Sequence, residues 1–144
     1  MTCPLCTLPA GELLHQDARL WVLLVEEAGY PGFCRVIWKQ HVREMSDLAP
    51  ADRAHLLDWV MRTEQAIRTV MQPDKINLAS LGNVVPHLHW HVIARFEWDS
   101  RFPSPVWAEP RRVVEPAPVA RLGLAIEELD ARVERAVAAL APAA

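Results

Sequence analysis

No apolar run in this 144-residue chain approaches the length of a membrane span. The longest near the start is Leu20–Val25, so no membrane partner is expected. Basic residues do not dominate either: 15 Lys and Arg stand against 18 Asp and Glu, a formal net charge of -3. A general nucleic-acid binder needs a basic face to neutralise phosphates, so none is expected here. A small phosphorylated ligand stays compatible, because a few local donors suffice for it. No basic segment followed by an apolar stretch opens the chain, which gives the expectation of a cytoplasmic protein. Cysteine is scarce, at three, and disulfides are rare in that compartment. Cys3-Pro4-Leu5-Cys6 therefore reads as a metal knuckle or a redox pair, and Cys34 as a small buried side chain.

What is present suggests one domain with one substantial core. Leu20–Val25 and Phe33–Trp38 are strand-like runs joined by Glu26–Gly32, which has turn chemistry. Pro50 suits the first turn of a helix running to about Met71. Its apolar positions Leu56, Leu57, Val60, Met61, Ile67, Val70 and Met71 predict one core-facing stripe. Ile76–Leu81 and His87–Phe96 read as neighbouring strands, and the short connection Gly82–Pro86 favours an antiparallel pair. Together these elements predict an α+β arrangement, an antiparallel sheet with one long helix packed on it. Beyond Arg95 the composition turns proline-rich, and from about Val119 to Leu140 helical spacing returns, with Leu122, Ile126, Leu129, Val133 and Val137 on one face. This tail would cover the site, dock on a second subunit or cap the core.

The densest chemistry lies in His87-Leu88-His89-Trp90-His91-Val92-Ile93. Strand side chains alternate faces, so three histidines at alternate positions would project from one side while Leu88, Trp90 and Val92 pack into a core on the other. A one-residue slip would bury the histidines, which fixes the register. Imidazoles held this way can act as base, nucleophile or metal ligand near neutral pH. The spacing alone leaves phosphoryl chemistry and metal binding both open.

The same segment resembles the His-φ-His-φ-His-φ-φ pattern (φ, apolar) of the histidine triad (HIT) superfamily. Tyr30–Val42 is similar to that family's "PGH-x-LVIPK-x-H" strand, and Asp47-Leu48 before a long helix matches as well. The resemblance runs from Cys3 to about Phe96. It implies a HIT-like fold of about five antiparallel strands, one long helix and a C-terminal helix. It also implies a HIT-like domain over residues 1–105; residues 106–144 would be a proline-rich segment and C-terminal helix, either in the same domain or a dimer-packing tail. This chain departs from the family's usual residues at Trp38 and Ala94, commonly proline, at Val84, commonly Ser or Thr, and at Asn83, commonly glutamine.

The activity so implied is a nucleotide phosphohydrolase or nucleotidyl transferase acting at an α-phosphate, on dinucleoside polyphosphates or nucleoside phosphoramidates. His89 would attack phosphorus, the backbone carbonyl of His87 would fix its tautomer, and His91 would contact the bridging or leaving oxygen and help protonate it. Asn77 and Asn83 would bind phosphate oxygens. Some family members carry an N-terminal CxxC that forms a structural zinc site. Its ligands map here to Cys3, Cys6, His41 and His87, two thiolates and two imidazoles in a closed set. No catalytic metal or organic cofactor is expected, and a homodimer is. The alternatives are a zinc-stabilised nucleotide-binding or regulatory protein with little turnover, and a triad that is itself a catalytic metal centre.

Overall fold

The computed structural model describes residues 2–142. Five strands, β1 (Glu12–Gln16), β2 (Leu20–Leu24), β3 (Cys34–Trp38), β4 (Lys75–Ala79) and β5 (His89–Arg95), form one sheet. Its order is β1-β2-β3-β5-β4, and every neighbouring pair is antiparallel. Helix α1 (Pro50–Met71) joins β3 to β4, and α2 (Pro118–Arg121) and α3 (Ile126–Leu140) follow β5. The expected α+β architecture is therefore present. β1 has no strong sequence signature: Glu-Leu-Leu-His-Gln breaks alternation, and a register shift between Leu13 and His15 absorbs the extra residue.

Turn chemistry delimits these elements. Gly32, at φ +77°, leads into β3, and a Cβ there would crowd Met71 Sδ; glycine adopts this left-handed backbone without strain. Pro50 opens α1, where its missing N–H is not needed, and Gln72 ends the helix in the left-handed region with its N–H bonded to Arg68 O.

The predicted α1 stripe is correct in part. Leu56, Val60, Ile67 and Met71 are buried, but Leu57 and Met61 are 38% and 42% exposed. Trp59, Thr63 and Ala66 are buried instead. Thr63 enters the core because its hydroxyl donates to the carbonyl of Trp59 at 2.7 Å, so no polar atom is left unpaired. The C-terminal helix is also shorter than expected. Gly123, at φ +72°, interrupts it after α2, and Ile126 at the start of α3 stays 38% exposed. Leu129, Val133 and Val137 pack into the core between α1 and β1.

The sheet has two different faces. One packs Val22, Val36 and Val92 against α1 and α3 in the main core. The other is covered only at its ends. Leu5 of the N-terminal segment lies on Trp21, Leu23 and Ile37, while Tyr30, Phe33 and Ile93 pack with Val106 of the proline-rich segment. A buried ion pair holds that segment down. Arg95 donates to Asp99 at 2.8 and 3.1 Å, to Ser104 O at 2.7 Å and to Asn77 Oδ1 at 2.7 Å. Asp99 also accepts from Tyr30 Oη and from the backbone N–H groups of Arg101 and Phe102. Burial pushes its carboxyl upward, but these donors outweigh that and hold it below the usual carboxylate range. Among the described residues, no helix is long and apolar enough to cross a membrane.

Candidate active site and metal centre

The middle of the second sheet face lies between these two covers and carries His89 and His91. Residues paired across antiparallel strands share a face, so Ile37 accompanies His89, and Arg35 and Ala79 accompany His91. The two imidazoles meet edge to face at 5.0 Å between centroids. Val92 turns to the helical core, as the alternation predicts, and Trp90 packs against it. Ser80 Oγ anchors the triad strand by donating to the carbonyl of His89 at 2.8 Å.

His89 Nδ1 lies 2.6 Å from the carbonyl of His87. A carbonyl oxygen can only accept, so Nδ1 carries the proton and Nε2 keeps a bare lone pair. Burial lowers the pKa of this imidazole, the nearby Arg35 and His87 lower it further, and the His87 carbonyl partly opposes them. His91 is displaced more, to about 4, first by burial and then by His89 and Arg35. Its Nδ1 is buried without a hydrogen-bond partner. The ring of Phe33 meets it edge-on at 5.6 Å, and that of Trp107, itself 53% exposed, at 5.2 Å.

His87 is set apart from the other two. It precedes β5, is fully buried, and donates from Nε2 to the carbonyl of Trp38 at 2.6 Å. That bond leaves Nδ1 as an acceptor only. Nδ1 faces Cys3 Sγ at 3.4 Å, Cys6 Sγ at 3.7 Å and His41 Nδ1 at 3.1 Å, and Cys6 Sγ lies 3.4 Å from His41 Nδ1. All four donor atoms fall within 4.8 Å of one another. A tetrahedral ion bound at about 2.3 Å to sulfur and 2.0–2.1 Å to nitrogen would set its donors roughly 3.3–3.8 Å apart. The residues therefore fit a metal ion: Cys3, Cys6, His41 and His87 form a possible four-ligand site, its buried imidazole already oriented by a carbonyl. None of the three cysteines is in a disulfide.

Of the remaining expected site residues, Asn77 stands on the triad face, opposite Ile93. Its Oδ1 is taken by Arg95, so its amide nitrogen is the end left to donate. Asn83 is exposed in the loop between β4 and β5. His55 on α1 is half-buried and paired with Asp17 at 2.7 Å, and His15 stacks on Trp59 at 3.7 Å. Sequence reading did not single out Arg35, because a charged residue in an apolar strand passes for ordinary alternation. A groove of about 860 Å³ borders the site along β4, lined in part by Asn77, Ala79, Pro105 and Trp107.

Comparison with known proteins agrees with this architecture. The HIT domain family matches residues 10–98. A histidine triad protein from Bradyrhizobium japonicum is 28% identical, with a TM-score of 0.65 over 85% of this chain and 90% of that one. A histidine triad (HIT) protein from Sinorhizobium meliloti 1021 is 27% identical, with a TM-score of 0.68 over 87% of this chain and 88% of that one. An AP-4-A phosphorylase of Mycobacterium tuberculosis is 28% identical over 78 residues, 50% of this chain and 40% of the relative. The chain thus spans well under half the length of that curated relative. With a domain match over most of its length and the triad on its sheet, this chain belongs to the HIT family.

Proposed function

We propose that this protein is a nucleotide phosphohydrolase or nucleotidyl transferase that acts at an α-phosphate through a covalent nucleotidyl-His89 intermediate. The observation that carries this reading is the 2.6 Å contact between His89 Nδ1 and the His87 carbonyl, which commits the imidazole to one tautomer. A bare Nε2 on a rigid strand is a nucleophile that pays little to orient itself. Its lone pair forms a bond to the α-phosphorus while the bond to the leaving group breaks. Water or another acceptor then attacks phosphorus, and the electron pair of the P–N bond returns to Nε2. Splitting one displacement into two is the value of the covalent route. Asn77 and Asn83 donate to phosphate oxygens, and His91 lies on the leaving-group side. The partial match to an AP-4-A phosphorylase is consistent with this substrate class.

We assign the four-ligand site to structural zinc. Two thiolates and two imidazoles make a closed set that leaves no open position for water. Bound there, zinc would tie the N-terminal segment to the residue whose carbonyl fixes His89.

The test is intact-protein mass spectrometry under acid-free conditions after brief incubation with diadenosine tetraphosphate or adenosine 5′-phosphoramidate. The native chain should gain one nucleotidyl group that maps to His89, and His89→Gly should gain none. Substrate loss that persists in His89→Gly would overturn the mechanism. No adduct and no turnover across both substrates would favour a zinc-stabilised nucleotide-binding protein.

A further inference from the structure

Arg35 is a cation without a counter-ion on the face that carries the triad. From Trp21 on β2 through Arg35 and His91 to Asn77 on β4, no strand residue of this face is acidic. The other central arginine here, Arg95, is neutralised by Asp99 at 2.8 Å. Arg35 enters no ion pair among the described residues. Its Nε is buried and has no hydrogen-bond partner. The residue as a whole is half-buried, with this nitrogen shielded from solvent. A buried guanidinium N–H left unpaired is costly, and an incoming anion would satisfy it. Arg35 also disfavours protonation of His91 across the strand pair, which leaves the guanidinium as the charged group on that side.

Its position indicates which anion. Arg35 is paired with His91, one strand across, not with His89, which pairs with Ile37. Its backbone therefore stands directly across from the imidazole on the leaving-group side, one pairing step from the nucleophile. We propose that Arg35 is a specificity-determining residue that receives an anionic phosphate leaving group, so that the site selects phosphoanhydrides over phosphoramidates. This rests on the nucleotidyl-histidine reading above and narrows its substrate class.

The two classes differ in what departs. In an anhydride, the His89 lone pair forms the P–N bond, the bond from phosphorus to the bridging oxygen breaks, and its electron pair stays on that oxygen. The leaving phosphate gains a negative charge and needs a cation more than a proton, which the planar fork of a guanidinium supplies. In a phosphoramidate, the departing nitrogen must take a proton as its bond to phosphorus breaks. His91 is the adjacent donor, and a pKa near 4 leaves it neutral at physiological pH. In the second step water attacks phosphorus, its proton passes to solvent, and the pair returns to His89 Nε2. No further reactant is required.

The experiment compares kcat/KM of the native, Arg35→Gln and Arg35→Lys chains on diadenosine tetraphosphate and on adenosine 5′-phosphoramidate. Losing a charged hydrogen-bond donor should lower kcat/KM on the anhydride roughly 10- to 100-fold in Arg35→Gln. The phosphoramidate should change by less than about threefold, because its leaving group makes no such contact. Arg35→Lys, which keeps the charge and the apolar stem, should recover part of the anhydride activity; it carries the comparison if the glutamine variant is unstable. Parallel losses on both substrates, or no loss on either, would overturn the proposal. A second readout needs no turnover: the affinities of ADP and AMP by calorimetry in His89→Gly chains with and without Arg35→Gln. With Arg35 present, ADP should bind about tenfold more tightly than AMP, and without it the difference should vanish. If the native chain turns over neither substrate, the catalytic reading fails, while this binding difference still decides the role of Arg35.

Discussion

His91 faces His89 and Arg35, with the ring edges of Phe33 and Trp107 closing around it. Burial and these two basic neighbours depress its pKa from 6.5 to about 4. The unfolded chain therefore binds a proton between those values that the folded chain refuses. By linkage, stability contributed here is present at neutral pH and is lost as pH falls through that window. The melting temperature should drop as pH is lowered from about 7 to about 4.5, and His91→Asn should flatten part of that slope. Thermal denaturation by circular dichroism at several pH values checks this. An unchanged slope in the variant would mean that other groups carry the acid sensitivity.

Residues 2–11 form no helix or strand, so their order depends on what holds them at each end. Leu5 inserts among Trp21, Leu23 and Ile37, and the thiols of Cys3 and Cys6 converge on His41 and His87. If zinc occupies this set, a tight chelator should release the segment and lower the melting temperature by about 5 °C or more. Trp21, 8% exposed beneath Leu5, should become more accessible to a fluorescence quencher. Stability and quenching that do not respond to chelation, in protein free of metal by elemental analysis, would refute the zinc assignment. The elements were legible in the sequence to unequal degrees. β2, β3 and β5 were clear because apolar runs end in turn residues. α1 was clear in extent but not in facing, because Thr63 and Ala66 are inconspicuous core residues while Leu57 and Met61 are conspicuous surface ones. β1 was hidden by its bulge, and the break in the C-terminal helix depends on one glycine that a periodic count passes over.

Across the whole molecule, packing and chemistry lie on opposite faces of one sheet. The histidine spacing was legible because it is local. The metal set was legible only through family resemblance, since it joins Cys3 to His87 across 84 residues. The closeness of Trp107 to His91 was not legible, because it depends on an irregular segment that the Arg95–Asp99 pair pins to the sheet. This division predicts that stability and activity can be perturbed separately. Val133 of α3 is fully buried in the helical core, far in the fold from the triad face. Val133→Ala removes two methyl-sized groups from a packed interior and should cost about 2 kcal/mol of unfolding free energy. α3 contributes no residue to the triad face, so kcat/KM at 25 °C should stay within about twofold of the native value while most of the protein remains folded. Trp107→Ala should do the reverse: it is half exposed, so its loss leaves stability nearly intact, but it uncovers His91 and should lower kcat/KM. Urea denaturation beside steady-state kinetics on both variants makes the comparison. A Val133→Ala chain that loses activity in step with stability would show that α3 is coupled to the site through the sheet and does not only cap the core.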